Sequence, residues 1–358
     1  MRVAIVHDDL VQFGGAERVL EGICEIYPDA PIYTSVYDSS NEQLRKRFGS
    51  KKIITSFLQK NPGWKILYKA LLPFYPIAFE QFDFSQFDLV ISHTTRFAKS
   101  VITKPQTKHI CYCHTPPRFL WNFSGENQYR WMKLLMDYLR KYDKVSANRV
   151  DLFLAGSENA KERIKKVYEM DSELVYPFID LSRFSGVETF DGGYFVVISR
   201  LNKYKRVDLA VEACSKLGLP LKVIGSGSEM ENLKRLLRSA RNDDVQFLGN
   251  LSDEMLVKVL AGARALIIPG IEDFGLTSLE AQALGKSVIA YESGGALETV
   301  IPKVTGIFFK EQKVESLINV LENFNLHEFN PEDCKQNASK FGKSIFTRNL
   351  KQEVDALI

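Results

Sequence analysis

A chain of 358 residues with 45% hydrophobic content is long enough for about two domains, each with a core of its own. The net charge of +3 is too small to mark a nucleic-acid binder, and no run of eighteen apolar residues offers a membrane-spanning helix. Residues 1–6 read as a short strand running straight into His7-Asp8-Asp9 rather than as a signal peptide, which places the protein in the cytoplasm.

In chain order, strands are predicted over residues 2–6, 87–92, 108–113, 150–155 and 174–176. They continue over 194–199, 221–224, 245–248, 265–268, 287–290 and 306–309, with helical periodicity between them. Alternation of strand and helix predicts an α/β protein of parallel sheets covered on both faces, and two such sheets fit the length better than one. Proline, glycine and polar residues interrupt the pattern from residues 176–180 through 191–193, so the boundary falls there. A last helix over about 339–358, with Phe341, Ile345, Phe346, Leu350 and Val354 apolar, is placed to return to the first domain. The expected domains are therefore 1–178 together with 340–358, and 190–335.

Five cysteines are scattered without a disulfide framework. Cys111-Tyr112-Cys113-His114 has neither common zinc spacing nor a second ligand pair, and is read as part of a buried core strand. From Gln43 to Phe79 there is no acidic residue, while Arg45, Lys46, Arg47, Lys51, Lys52, Lys60, Lys65 and Lys69 alternate with Phe57, Trp64, Tyr68, Phe74 and Tyr75. Two readings stand: a face for an anionic membrane surface, or a solvated helical face whose aromatics turn inward.

Three motifs carry chemistry. Gly14-Gly15-Ala16-Glu17-Arg18 follows the first strand and opens a helix, where paired glycines let backbone amides approach a phosphate. Ser199-Arg200-Leu201-Asn202-Lys203-Tyr204-Lys205-Arg206 follows the strand 194–199; there Arg200 could meet a diphosphate bidentately and Lys205 as a point charge. The third, from Glu272 to Glu280, places one acid in a loop and the other inside a helix with seven residues between them, the Phe274, Gly275 and Leu276 amides among these. Sugar, diphosphate and ribose follow one another in that order in a nucleotide sugar. His114 ends an apolar strand before the abrupt turn of Thr115-Pro116-Pro117, which leaves its ring at the strand's carboxyl end.

Together the three motifs resemble glycosyltransferase family 4, the retaining GT-B enzymes, over nearly the whole chain. Tyr112-Cys113-His114-Thr115-Pro116-Pro117-Arg118 and residues 73–80 are most similar to its O-antigen mannosyltransferase (WbaZ-like) branch. The resemblance implies two Rossmann-like domains facing across a cleft, the donor held mainly by the second and the acceptor by the first, with no essential metal or cofactor. It implies that Arg200 and Lys205 bind the diphosphate, that Glu280 binds the ribose, and that Glu272 and the Phe274-Gly275-Leu276 backbone contact the donor sugar. His114 matches the active-site histidine. Ser199 departs from the glycine that many members carry before the arginine.

The expected reaction is transfer of mannose from GDP-mannose, with retention, to a lipid-linked or oligosaccharide acceptor in polysaccharide or O-antigen biosynthesis. The enzyme would be peripheral on the inner face of the cell membrane, held there through residues 43–79. A GT-B sugar-nucleotide epimerase and a non-catalytic carbohydrate- or lipid-binding module are the alternatives. A dehydrogenase is disfavoured, because Met230 stands where a third glycine would follow Gly225 and Gly227.

Overall fold

The computed structural model describes residues 1–61, 63–67, 71–123, 132–240 and 244–358; Tyr68 and Lys69 of the basic stretch lie outside them. The chain divides into two compact units, one of residues 1–177 with 346–358 and the other of residues 178–345.

The first unit is built on β1 (Val3–His7), β2 (Ile32–Thr34), β3 (Ile53–Thr55), β4 (Leu89–Thr94), β5 (Lys108–Cys113), β6 (Leu152–Ala155) and β7 (Glu173–Leu174). These form one parallel sheet in the order β3-β2-β1-β4-β5-β6-β7. Every residue of β1 and β4 is buried, as expected of strands covered on both faces. β2 and β3 are absent from the sequence reading; three residues each are too few to show a period.

The second unit carries β8 (Tyr194–Ile198), β9 (Leu221–Ile224), β10 (Val245–Gly249), β11 (Ala263–Ile268), β12 (Ser287–Tyr291) and β13 (Gly306–Phe309), again parallel, in the order β10-β9-β8-β11-β12-β13. Both sheets therefore have the doubly wound Rossmann-like order, and strand order reverses between β1 and β4 in one and between β8 and β11 in the other. Chains diverge above those two points, which leaves room for a ligand at the strands' carboxyl ends.

The last helix, Lys343–Leu357, buries Phe346, Leu350 and Val354, spaced four residues apart on one stripe. Phe346 meets the ring of Tyr112 on β5 edge-on, with centroids 6.1 Å apart. Within the first unit a charged pair is fully buried: Lys99 Nζ donates to Asp143 Oδ1, while Asp143 Oδ2 accepts from Trp121 Nε1 at 2.8 Å and from Tyr168 Oη at 2.9 Å.

The basic stretch divides between its two readings. Trp64 and Tyr75 turn into the core, whereas Phe57, Phe74 and Ile77 are exposed. Arg47 pairs with Glu21 at 2.9 Å, Lys65 with Asp38 at 2.8 Å, and Lys51 Nζ donates to the carbonyls of Cys24 and Pro28. Arg45, Lys46 and Lys60 remain exposed. Among the described residues no helix is long and apolar enough to cross a membrane. Cys111 and Cys113 are buried free thiols in β5.

Candidate functional site

In the second unit, chain reversal after β8 and β11 brings distant motifs together. Ser199 N donates to Ile224 O at 3.0 Å, Leu201 N to Ser226 O at 2.9 Å and Glu229 N to Leu201 O at 2.8 Å, so the loop after β8 is sewn to the loop after β9. Gly225, at φ +128°, and Gly227 permit this, because a Cβ on either would strike the backbone of Ser199 or Leu201.

Gly270 does the same beyond β11. A Cβ there would lie 2.6 Å from Cα of Lys205, so the absent side chain is what seats Lys205 against the end of that strand. Lys205 is 9% exposed and its Nζ donates to Glu272 Oε2. Glu272 is fixed in turn by its carbonyl, which accepts from Gly295 N at 2.9 Å. Arg200 stands exposed at the rim, and Arg206 is committed elsewhere, to Asp208 at 3.0 Å.

Gly275, at φ +95°, caps the helix Leu276–Ala283 without a side-chain hydrogen bond to its first amides. Ser278 N donates back to Gly275 O at 3.0 Å, so the positive end of the helix is presented by the Leu276 and Thr277 N–H groups. Phe274 is buried against the ring of Phe341, 5.5 Å away. The helix is anchored from behind, where Asn337 Nδ2 donates to Gln282 Oε1 at 2.7 Å and Gln282 Nε2 donates to Thr299 O, also at 2.7 Å. Glu280, 7% exposed, accepts from Arg183 Nη1 at 3.0 Å, and Arg183 Nη2 lies 3.3 Å from Asp253 Oδ1. Sequence reasoning missed Arg183. A cavity of about 380 Å³ opens nearby, but Asn202, Lys203, Arg206, Asp208 and Glu229 are among its lining and Arg200, Lys205, Glu272 and Glu280 are not, so it is separate from this cluster.

In the first unit, three strands end in histidine. His7 closes β1, His93 is the penultimate residue of β4, and His114 follows β5 directly. His7 and His93 are opposite each other in the ladder, and His93 is opposite Tyr112, two residues before His114. Side chains two apart share a face, so the rings meet. His93 Nε2 is 2.7 Å from His114 Nε2, and His93 Nδ1 is 2.9 Å from His7 Nδ1. His114 is half-buried; the other two are buried.

Beside them Asp8 accepts from the backbone amides of Thr95, Phe97 and Ala98 at 2.6, 2.9 and 2.8 Å and from Thr94 Oγ1 at 2.9 Å. Burial raises its pKa, but His7, Arg96 and those amides outweigh it and hold the carboxyl below its usual range. Gly14, the N-cap of the helix Gly15–Ile26, donates its amide to Glu17 Oε2 at 2.7 Å in a capping box, so in this state that amide is occupied, while Gly15 is exposed. His7 and His93 were not singled out from the sequence, although each ends an apolar strand as His114 does.

A family model described as "Glycosyltransferase Family 4" matches residues 13–183, and one described as "Glycosyl transferases group 1" matches residues 179–341. The chain is a GT-B glycosyltransferase. This glycosyltransferase is 25% identical over 361 residues to alpha-1,3/1,6-mannosyltransferase ALG2 of Homo sapiens, covering 87% of this chain and 84% of that one. Its fold is similar to that of Anabaena HepE, solved in complex with UDP, with a TM-score of 0.74 at 17% identity over 99% of this chain and 100% of the other. Sucrose-phosphate synthase from Thermosynechococcus elongatus aligns with a TM-score of 0.78 at 16% identity, covering 100% of this chain and 99% of that one. At such identities these two structures speak for the fold alone.

Proposed function

We propose that this glycosyltransferase moves mannose from GDP-mannose, with retention of configuration, onto a lipid-linked or oligosaccharide acceptor in polysaccharide or O-antigen assembly. The observation that carries the donor assignment is the Lys205–Glu272 pair, formed at the carboxyl ends of β8 and β11 where strand order reverses. Exposed Arg200 and the uncapped first turn of Leu276–Ala283 add positive potential beside it. Mannose as the sugar is supported by the ALG2 relative, and the O-antigen context by the resemblance of residues 73–80 and 112–118.

In this reading the diphosphate of the donor takes Lys205 from Glu272, and Glu272 turns to a hydroxyl of the sugar. Glu280, held by Arg183, receives the ribose hydroxyls. Charge builds on the diphosphate as the glycosidic bond to it breaks, and Arg200, Lys205 and the Phe274–Leu276 amides stabilise that charge more in the transition state than before it. A phosphate oxygen takes the acceptor proton as the new bond forms on the same face. In this reading Glu272 serves Lys205 and the sugar hydroxyls rather than a double displacement, which would need a carboxylate beneath the anomeric carbon. Since side chains and amides meet the charge of the leaving group, the reading requires no essential metal, and EDTA is expected to leave the rate unchanged. For the first unit, the resemblance assigns His114 to the donor sugar and Gly14 and Gly15 to a phosphate.

A thermal-shift panel of nucleotide diphosphates and their sugars tests the donor. A ligand at a hundred times its Kd adds about 2.7 kcal/mol. GDP and GDP-mannose should give the largest shifts; a larger shift with UDP would move the donor to the uridine series. Consumption of GDP-mannose without an acceptor, giving an altered sugar nucleotide, would instead indicate the epimerase.

A further inference from the structure

The three histidines of the first sheet form a row that ends on a carboxylate. His114 Nε2 meets His93 Nε2 at 2.7 Å, His93 Nδ1 meets His7 Nδ1 at 2.9 Å, and His7 Nε2 faces Glu17 Oε1 at 3.7 Å. His7, His93 and Glu17 are 3%, 0% and 4% exposed, so only the His114 end reaches toward solvent.

Each contact between two ring nitrogens holds one proton, because two lone pairs or two N–H groups would repel. The Glu17 carboxylate accepts only, and therefore keeps a proton on His7 Nε2. While His7 is neutral its Nδ1 is a lone pair, so His93 donates from Nδ1 and His114 donates from Nε2. That leaves His114 Nδ1 an acceptor. A proton taken up at this Nδ1 reverses the row: the Nε2 proton of His114 passes to His93, the Nδ1 proton of His93 passes to His7, and the positive charge comes to rest on His7. His114 ends neutral, with its N–H on Nδ1. One proton enters, two are handed inward, and no bond between heavy atoms changes.

The inner end is suited to hold the charge. Burial works against a charged His7, but Glu17, then Asp8 and Asp9, outweigh it and raise its pKa, with Arg96 offsetting the two aspartates. Burial and the flanking rings of His114 and His7 push His93 well below its usual value, and Tyr112 stacks on it with centroids 5.5 Å apart. Once His7 is charged, its Nδ1–H has the carbonyl of His93 as a second acceptor at 3.3 Å.

We propose that Glu17, His7 and His93 are a proton relay that decides whether His114 offers a donor or an acceptor to the hydroxyl it meets. All three are positioning residues. The use of the relay in transfer rests on His114 being a sugar contact, as read above, but its existence does not.

The test is to follow the ring nitrogens by ¹⁵N–¹H correlation in the full-length protein with ¹⁵N-labelled histidine, from about pH 5 to about pH 9. Wild type is compared with Glu17→Gln, in which the amide oxygen stays on Gly14 N–H and the NH₂ group faces His7 Nε2. In wild type, the His114 proton should move from Nδ1 to Nε2 as pH rises, in step with loss of charge on His7, without His114 itself becoming a cation. The variant should hold Nδ1–H throughout and flatten the pH dependence of kcat, with the KM for donor changed by less than about twofold. A His114 that titrates as an independent imidazolium, or keeps one tautomer while His7 titrates, overturns the relay from wild-type data alone. A tautomer switch as expected, with kcat of Glu17→Gln following pH as wild type does, would support the relay and overturn its use at the sugar.

Discussion

Arg183 holds Glu280 by a 3.0 Å hydrogen bond although the two are 97 residues apart in the chain. The guanidinium also leans on Asp253, so it orients the acid rather than merely neutralising it. If Glu280 binds the ribose, Glu280→Ala removes a charge-assisted hydrogen bond made equally in ground and transition states. Donor KM should rise about 10- to 100-fold with kcat little changed, as steady-state kinetics will read. Arg183→Ala should act differently, taking the guanidinium away from a buried carboxylate and lowering stability by about 3 kcal/mol in urea unfolding.

Lys205 can be displaced without touching any charge. Lys205→Ala should lower kcat about 10²- to 10³-fold, the usual effect of removing one partner of transition-state charge. Gly270→Ala should lower it in the same direction, because the new Cβ would lie 2.6 Å from Cα of Lys205 and push the loop off β11. A normal kcat in a folded Gly270→Ala protein would show that this close seating is unnecessary.

Asp143 collects Lys99, Trp121 and Tyr168 in a site closed to water. Asp143→Ala leaves a lysine buried without its counter-charge and should cost about 3–5 kcal/mol in urea unfolding. Donor binding in the second unit should be retained at temperatures where the variant is folded, and differential scanning fluorimetry with nucleotide would check that separation.

His109 makes stability depend on pH. Its Nε2 accepts from Ser92 Oγ at 2.8 Å and its Nδ1 donates to Arg149 O at 3.2 Å, and burial takes its pKa from 6.5 down to about 4. Between those values the unfolded chain binds the proton and the native one does not, so stability rises with pH there. The contribution is full above pH 6.5 and is lost progressively toward pH 4, by about 3 kcal/mol in all. Urea midpoints across that window should fall less steeply for His109→Gln than for wild type.

Exposed Phe74 and Ile77, together with the unpaired faces of Arg45, Lys46 and Lys60, fit the membrane-surface reading of residues 43–79. Flotation with anionic vesicles should recover the protein at low salt and lose it as salt rises, and Phe74→Ser with Ile77→Ser should weaken the association. Absence of salt-sensitive flotation would leave the solvated-face reading.

Most of the architecture was legible because buried parallel strands carry unbroken apolar runs, as at residues 3–6 in β1, 89–91 in β4 and 265–268 in β11. β2 and β3 were not, since three residues such as Ile53–Thr55 carry no period. The chemistry divides along the same line. Glu272, Gly275 and Glu280 lie within one loop and helix, so their order could be read directly. Arg183 and the histidine row could not, because their partners come from strand order: His7 and His93 are 86 residues apart and meet only because β1 lies beside β4. A signal was present all the same, in three apolar strands that each end at or next to a histidine.

The assignment of residues 346–358 to the first unit bears on how the protein is made. On the ribosome, the opening residues emerge first, yet Phe346, Leu350 and Val354 are supplied only after residues 178–345 have been translated, about ten to thirty seconds later at ordinary elongation rates. Until then the hydrophobic surface those side chains cover is open to water and to chaperones. The domain begun first is thus completed last, and loss of the final turns should leave the amino-terminal half, rather than its neighbour in the chain, prone to aggregate during synthesis.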